Sequence, residues 1–286
     1  MTRLAAILFL TLTVASCGNR RPVPLGGAVS SPLEPSPVGA ATAPSDGTLF
    51  IRGTVSDTAF RSVAGARVEV VDGPHAGLST ISDVAGGFAL TGNFDEETRF
   101  RATKDGYLIA TQTLQPFCAP CNPHRWIHFS LEVPAAPVNV AGDYALTFVA
   151  DPLCQMLPTD VRTRTYTTTI PPATNGNPAN AYYPFAVSGA LEGWTVLDMG
   201  VAGDYVGIWL ETLVEQIAPN TYLSFGGLAA AFIGTSPGPS IVLPFDGSID
   251  YCVTKSDGGR YEDCYRGPAT HARCGSTHHQ LILTRR

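Results

Sequence analysis

The sequence predicts an all-β protein, a two-sheet β-sandwich followed by an antiparallel β-barrel or a second sandwich. Three observations carry that expectation. Short runs rich in Val, Thr, Tyr, Phe and Ile alternate with clusters of turn residues. Glycine and proline are plentiful, at 29 and 23 residues. Long runs with a helical period are hard to find. The 286 residues carry a formal charge of −6, most of it beyond residue 136. Nothing is basic enough to follow a phosphate backbone, so no nucleic-acid partner is expected.

The chain opens with a short positive segment, Met1-Thr2-Arg3, and an apolar run from Leu4 to Val14. That run is too short to cross a bilayer core of about 30 Å as a helix, and residues 1–16 read as a signal peptide. Val14-Ala15-Ser16-Cys17 resembles the lipobox of bacterial lipoproteins. The resemblance implies that Cys17 is diacylated on sulfur, becomes the new N-terminus and is then N-acylated, for instance with palmitate. Two or more acyl chains anchor stably where one does not. An ordinary signal peptide cut near Ala15 would leave Cys17 incidental. Gly18, where an Asp would favour inner-membrane retention, leans towards the outer membrane of a Gram-negative cell envelope. From Cys17 to residue 45, prolines 22, 24, 32, 35, 37 and 44 stand among Ala, Gly, Ser and Val with no apolar period. This reads as a tether from the lipid to the folded part.

Residues 46–134 form the first expected domain. Leu49–Val55, Ala66–Val71, Leu78–Ile81, Phe88–Leu90, Thr98–Thr103, Tyr107–Leu114 and Trp126–Val133 read as strands. About seven short strands at this spacing fit a two-sheet sandwich, with Val68, Val70, Phe88 and Leu90 as core. Gly53-x-Val55-x-Asp57, Gly65-Ala66-x-Val68, Asp83-x-x-Gly86-x-Phe88 and Ala102-x-x-x-Gly106-Tyr107 resemble the carboxypeptidase regulatory-like domain, a transthyretin-like β-sandwich. The resemblance covers most of 48–133 and implies an accessory module that stabilises or spaces a partner domain. The catalytic zinc site of such carboxypeptidases lies in a separate domain, and no His-x-x-Glu is found in this chain.

Before the last of these strands stand Cys118, Cys121, His124 and His128. Two cysteines and two histidines could supply four zinc ligands. However, His124 and His128 suit a helix by spacing, and on a strand they would sit about 13 Å apart. An exported chain meets an oxidising compartment, which favours a Cys118–Cys121 disulfide.

After a short linker, residues 138–286 form the second expected domain, of no recognised family. Its expected strands are 143–150, 162–170, 183–187, 205–211, 222–225, 228–233, 241–253 with an interruption, and 280–284. If they close into a barrel, its interior could be a cavity for a small apolar ligand or a filled core.

Cys252 and Cys264 stand equidistant from Gly258, as a cross-strand disulfide about a hairpin tip would require. Cys154 and Cys274 would then pair, tying the exit of the first strand to the approach of the last. The rival is a zinc site from His271, Cys274, His278 and His279.

Two further patterns are set aside. Gly234-Thr235-Ser236-Pro237-Gly238 has the nucleophile-elbow spacing, but Pro237 lacks the N–H an oxyanion hole needs and a strand is expected next. Asp95, Glu96 and Glu97 lack the Asp-x-Asp spacing of a calcium loop.

The expectation is a lipid-anchored envelope protein acting as a non-catalytic binding or structural module without cofactor. The second domain is the expected binder of a protein, a glycan or a small apolar ligand. The alternative is a secreted hydrolase or zinc-binding protein whose site is not evident from sequence.

Overall fold

The structure, a computed structural model, describes residues 50–92, 94, 97–114, 125–172, 181–189, 196–255 and 258–286. The expected all-β class is what it shows, with two strand bodies in one compact unit. In the first, β1 (Phe50–Asp57) pairs antiparallel with β4 (Gly87–Thr91) and parallel with β7 (Arg125–Leu131). The facing sheet runs in the order β3 (Ser79–Ile81), β2 (Arg67–Val70), β5 (Arg99–Thr103), β6 (Ala110–Thr113). Alternation decides which side chains meet between the sheets. Ile51, Val55, Val68, Val70, Phe88, Leu90, Phe100, Phe129 and Leu131 are buried there. The parallel β1–β7 pair makes this sheet mixed, which local pattern does not reveal.

The second body is one antiparallel sheet of eight strands. They are β8 (Gly142–Val149), β9 (Thr163–Ile170), β10 (Ala181–Phe185), β11 (Val196–Ala202), β12 (Tyr205–Ala218), β13 (Thr221–Phe232), β14 (Ser240–Thr254) and β15 (Ala269–Arg285). A four-residue helix, α1 (Asp263–Arg266), lies between the last two. The spatial order is β10-β11-β12-β13-β14-β15-β8-β9, a meander whose last strand returns to carry the first two. The edges of this sheet meet at an antiparallel bridge between Thr168 and Val187, reinforced by Ser188 N–H donating to Thr167 C=O at 2.8 Å. The sheet therefore curls towards a barrel.

Aromatic rings fill its inside. Phe148 stacks on Phe225 at 4.2 Å between centroids, with Tyr166 and Phe245 edge-on at 6.0 and 5.8 Å. Of the two interiors expected from sequence, the packed one describes these rings.

Several strands differ from expectation, and β12 runs on to Ala218, past the expected 211. β11 was not anticipated. The runs 222–225 and 228–233 are one strand, because Gly226 and Gly227 pair straight across to Ser248 and Gly247. The last strand begins at Ala269, well before residue 280.

The two bodies meet where β1 ends. The Asp57 carboxylate, 1 % exposed, accepts from Ala59 N–H at 3.0 Å, Arg61 N–H at 2.9 Å and Arg61 Nε at 2.8 Å. Those bonds fold residues 57–61 into a tight loop that reaches the curled sheet. Its Thr58 hydroxyl donates to Val201 C=O at 2.7 Å. Under it lie Gly200 and Gly207, opposite one another on β11 and β12. A Cβ on Gly200 would sit 1.9 Å from Thr58 O, and one on Gly207 2.1 Å from Ala59 O. Backbone thus packs on backbone, a close approach open only to glycine. Beside it, the Arg61 guanidinium lies 4.5 Å over the Tyr205 ring.

Candidate functional site

Residues of the curled sheet that sequence reasoning singled out gather where β8 ends. β15 carries a bulge there: Gly247 of β14 pairs with Ser276, yet Phe245 pairs with His279. An extra residue on one strand reverses the alternation beyond it. Cys274 and His279, five positions apart and so expected on opposite faces, both turn inward and are buried.

His279 is fully buried. Its Nδ1 accepts from Asp151 N–H at 2.9 Å, which places the proton on Nε2, and Nε2 faces Cys274 C=O at 3.3 Å. Burial pushes its pKa below the usual histidine value, so the ring is neutral. The Asp151 carboxylate beside it accepts from the Ser276 hydroxyl at 2.5 Å and Leu153 N–H at 2.9 Å. Those bonds hold the carboxyl below its ordinary range. Cys154 and Cys274 are joined in a disulfide beside them. Asp151, Ser276 and the bridge together pin the 150–162 loop, which keeps Leu153 79 % and Met156 57 % exposed.

A nucleophile needs a base that takes its proton, itself held by a third group. Ser276 instead gives its proton directly to Asp151, and His278 offers Ser276 only its backbone N–H, at 3.0 Å. The Ser276–Asp151–Leu153 bonds and the disulfide hold the loop in place. Cys154, Cys274 and His279 place ligand-type atoms within 4.8 Å of one another. Zinc needs thiolates and a free imidazole lone pair. Here the sulfurs are bonded to each other and the Nδ1 lone pair is taken by Asp151 N–H.

The rival zinc set is not assembled either. Cys274 is in the bridge, His278 is exposed, and His271 is exposed on the outer face opposite Cys252. Of the earlier set, Cys118, Cys121 and His124 lie outside the described residues, as does Cys17. His128 lies on β7 with Nδ1 2.9 Å from the Thr54 hydroxyl and Nε2 3.3 Å from that of Ser56. Gly234–Gly238 sits in the connection between β13 and β14, with a strand after it. Asp95 and Glu96 also lie outside the described residues, and Glu97 is exposed.

Cys252 and Cys264 are bonded too, though not across a hairpin. The strand partner of Cys252 is His271, and Cys264 sits on α1. The chain folds α1 back over the outer face of the sheet, where Val214, Tyr222, Cys252, Tyr261 and Cys264 form a small second core. Beside it, burial pushes the Asp250 carboxyl up, against the opposing pull of Arg273 3.3 Å away.

Sequence reasoning missed a third polar group. Arg164 of β9 pairs with Glu215 of β12, and the Tyr166 hydroxyl donates to the same carboxylate at 2.9 Å. Burial raises the Tyr166 pKa, so it remains a donor. The alternation of β9 puts Arg164 on the face of buried Tyr166, Thr168 and Ile170, but a partner fifty residues on leaves no local signal.

No family model and no curated protein matches the chain. Among solved structures, one similar chain is a Bacteroides fragilis protein of unknown function, provisionally described as membrane-associated. It is 11 % identical, with 83 % of this chain and 97 % of that one covered, at a TM-score of 0.23. A likeness at that level shows nothing of what this chain does.

Proposed function

We propose that this chain is a lipid-anchored protein of the cell envelope, held by acylated Cys17 on its proline-rich tether, and that it acts as a non-catalytic binding module. The first body, whose motifs resemble the carboxypeptidase regulatory-like domain, serves as the accessory part. The second does the binding, on its outer surface, because its interior is packed with aromatic rings.

The observation that carries this reading is the 150–162 loop. Two large apolar side chains, Leu153 and Met156, are held in water by a disulfide and a bonded carboxylate. A surface fixed before the partner arrives loses little entropy on binding. A protein partner with an apolar pocket fits that surface.

The test uses the full chain in an envelope-bearing host. Wild type should take up an alkynyl fatty acid and sediment with membranes, and Cys17→Ser should do neither. A photo-crosslinking residue in place of Leu153 should give one discrete adduct, absent when it replaces exposed Val84 instead. Unlabelled wild type would overturn the anchor; equal adducts at both positions would overturn the binding surface.

A further inference from the structure

The second disulfide has a setting unlike the first. Cys252 and Cys264 are 12 residues apart, and the described part of the segment they close, from Gly258 on, lies on the outside of the sheet over a core separate from the main one. The described part, Gly258–Pro268, makes many of its hydrogen bonds within itself. Arg260 N–H donates to the Asp263 carboxylate at 2.7 Å, Cys264 N–H to Tyr261 C=O at 3.0 Å, and Gly267 N–H to Asp263 C=O at 2.9 Å. The Tyr261 and Tyr265 hydroxyls meet at 2.6 Å. Ties to the sheet include the bridge, Lys255 N–H donating to Pro268 C=O at 3.0 Å, the Tyr222 hydroxyl donating to Gly259 C=O at 2.8 Å, and Tyr261 against Ser224 and the Tyr222 ring.

Beneath it the apolar second core is bordered by a polar row whose outer end, Arg273, reaches solvent. Ser224, Asp250 and Arg273 stand in register across β13, β14 and β15. Ser224 is 5 % exposed, and Ser248 bonds Asp250 at 3.2 Å. A cover made only for stability has no reason to lie over Ser224 and part of Asp250, since buried polar groups add little net free energy even when bonded.

We propose that Gly258–Pro268 is a redox-released strap: reduction of Cys252–Cys264 lets it lift as a body and uncovers Ser224 and the partly covered Asp250 while the curled sheet stays folded. The reductant is the dithiol of a thiol–disulfide oxidoreductase. Its first thiolate attacks one sulfur of the bridge and forms a mixed disulfide, expelling the other cysteine as a thiolate that takes up a proton. The second thiol of the reductant resolves that intermediate, so the chain leaves with two thiols and the reductant with one disulfide. A self-bonded segment over a satellite core is the kind of unit that opens below the global unfolding free energy.

The test is graded dithiothreitol on the full exported chain, read by differential alkylation and by amide hydrogen exchange. Cys252–Cys264 should open before Cys154–Cys274. At that point exchange in 258–267 should rise about tenfold or more, with β8, β12 and β13 unchanged. The double variant Cys252→Ser, Cys264→Ser should reproduce the pattern without reductant. Strap exchange that stays slow after the bridge is open would overturn the proposal. So would protection lost in the strap and in β13 together.

Discussion

Cys154–Cys274 and Cys252–Cys264 each pin a loop to the same eight-stranded sheet, and each loop has a carboxylate near it, but the two carboxylates are perturbed in opposite directions. Asp151 has a hydroxyl and a backbone N–H aimed at its oxygens, and it is held below the ordinary carboxylate range. Asp250 has one hydroxyl and one half-distant guanidinium, and burial pushes it up. Donors aimed at the charged form decide the direction, not depth alone. The bridges differ as well. One spans 120 residues and ties the first strand of the sheet to the last, while the other spans 12 and ties a short segment to its own strand.

That contrast is tested most strongly by removing each bridge. In the chain-entropy picture, closing a loop of this larger size is worth about 5 kcal/mol and the smaller about 3 kcal/mol. The Cys154→Ser, Cys274→Ser variant should therefore lose about 5 kcal/mol of unfolding free energy in a urea titration. The other double variant should lose much less from the main transition, because its loss falls on the strap. Equal losses in the two titrations would erase the distinction between a bridge for the sheet and a bridge for one segment.

The joint between the bodies shows how much pinning needs no covalent bond. Gly200→Ala puts a methyl group 1.9 Å from Thr58 O, so the loop must back away. Overpacking of this kind costs about 1–3 kcal/mol. The matched control is Gly226→Ala, whose Cβ would meet nothing nearer than Glu211 O at 3.5 Å. Thermal melting should separate the two variants, and protease cleavage near residue 60 should accelerate only in Gly200→Ala. If the control melts as low as the variant, the joint is not where the strain falls.

The sequence made these features legible unevenly. The seven strands of the first body follow from clean alternation, as in Val68 and Val70 or Phe88 and Leu90, because one face of each sheet meets the other. β11 escaped notice because Asp198 and Gly200 interrupt its apolar run. Gly200 is there to receive a loop some 140 residues earlier, which no window on the sequence displays. Both cysteine pairs agree with the expected partners. Yet the reason offered for Cys252 and Cys264 was a hairpin, and the cause is a short helix folded over the sheet. The histidines were noticed as a cluster, but a single bulge in β15 sends His279 inward while His271 stays outside. Asp151 and Ser276 drew no attention, since their partnership spans 125 residues.

The smallest effect expected is also the one that separates the two carboxylates most directly. The stabilising contribution of Asp151 is present above the ordinary carboxylate pKa and is lost as pH falls through its depressed value in the fold. For Asp250 the sign reverses: its contribution is full below the ordinary carboxylate pKa and is lost as pH rises through the raised value. At about pH 7, Asp151→Asn should therefore lower the urea midpoint, while Asp250→Asn should leave it unchanged or raise it. Near pH 3 Asp250→Asn should approach wild type, since that carboxyl is protonated there and resembles the amide, whereas Asp151→Asn should do so only at lower pH, below the depressed value of its carboxyl. If both substitutions lower the midpoint at neutral pH, the Arg273 pair outweighs burial at Asp250, and the strap encloses a charge that its surroundings already satisfy.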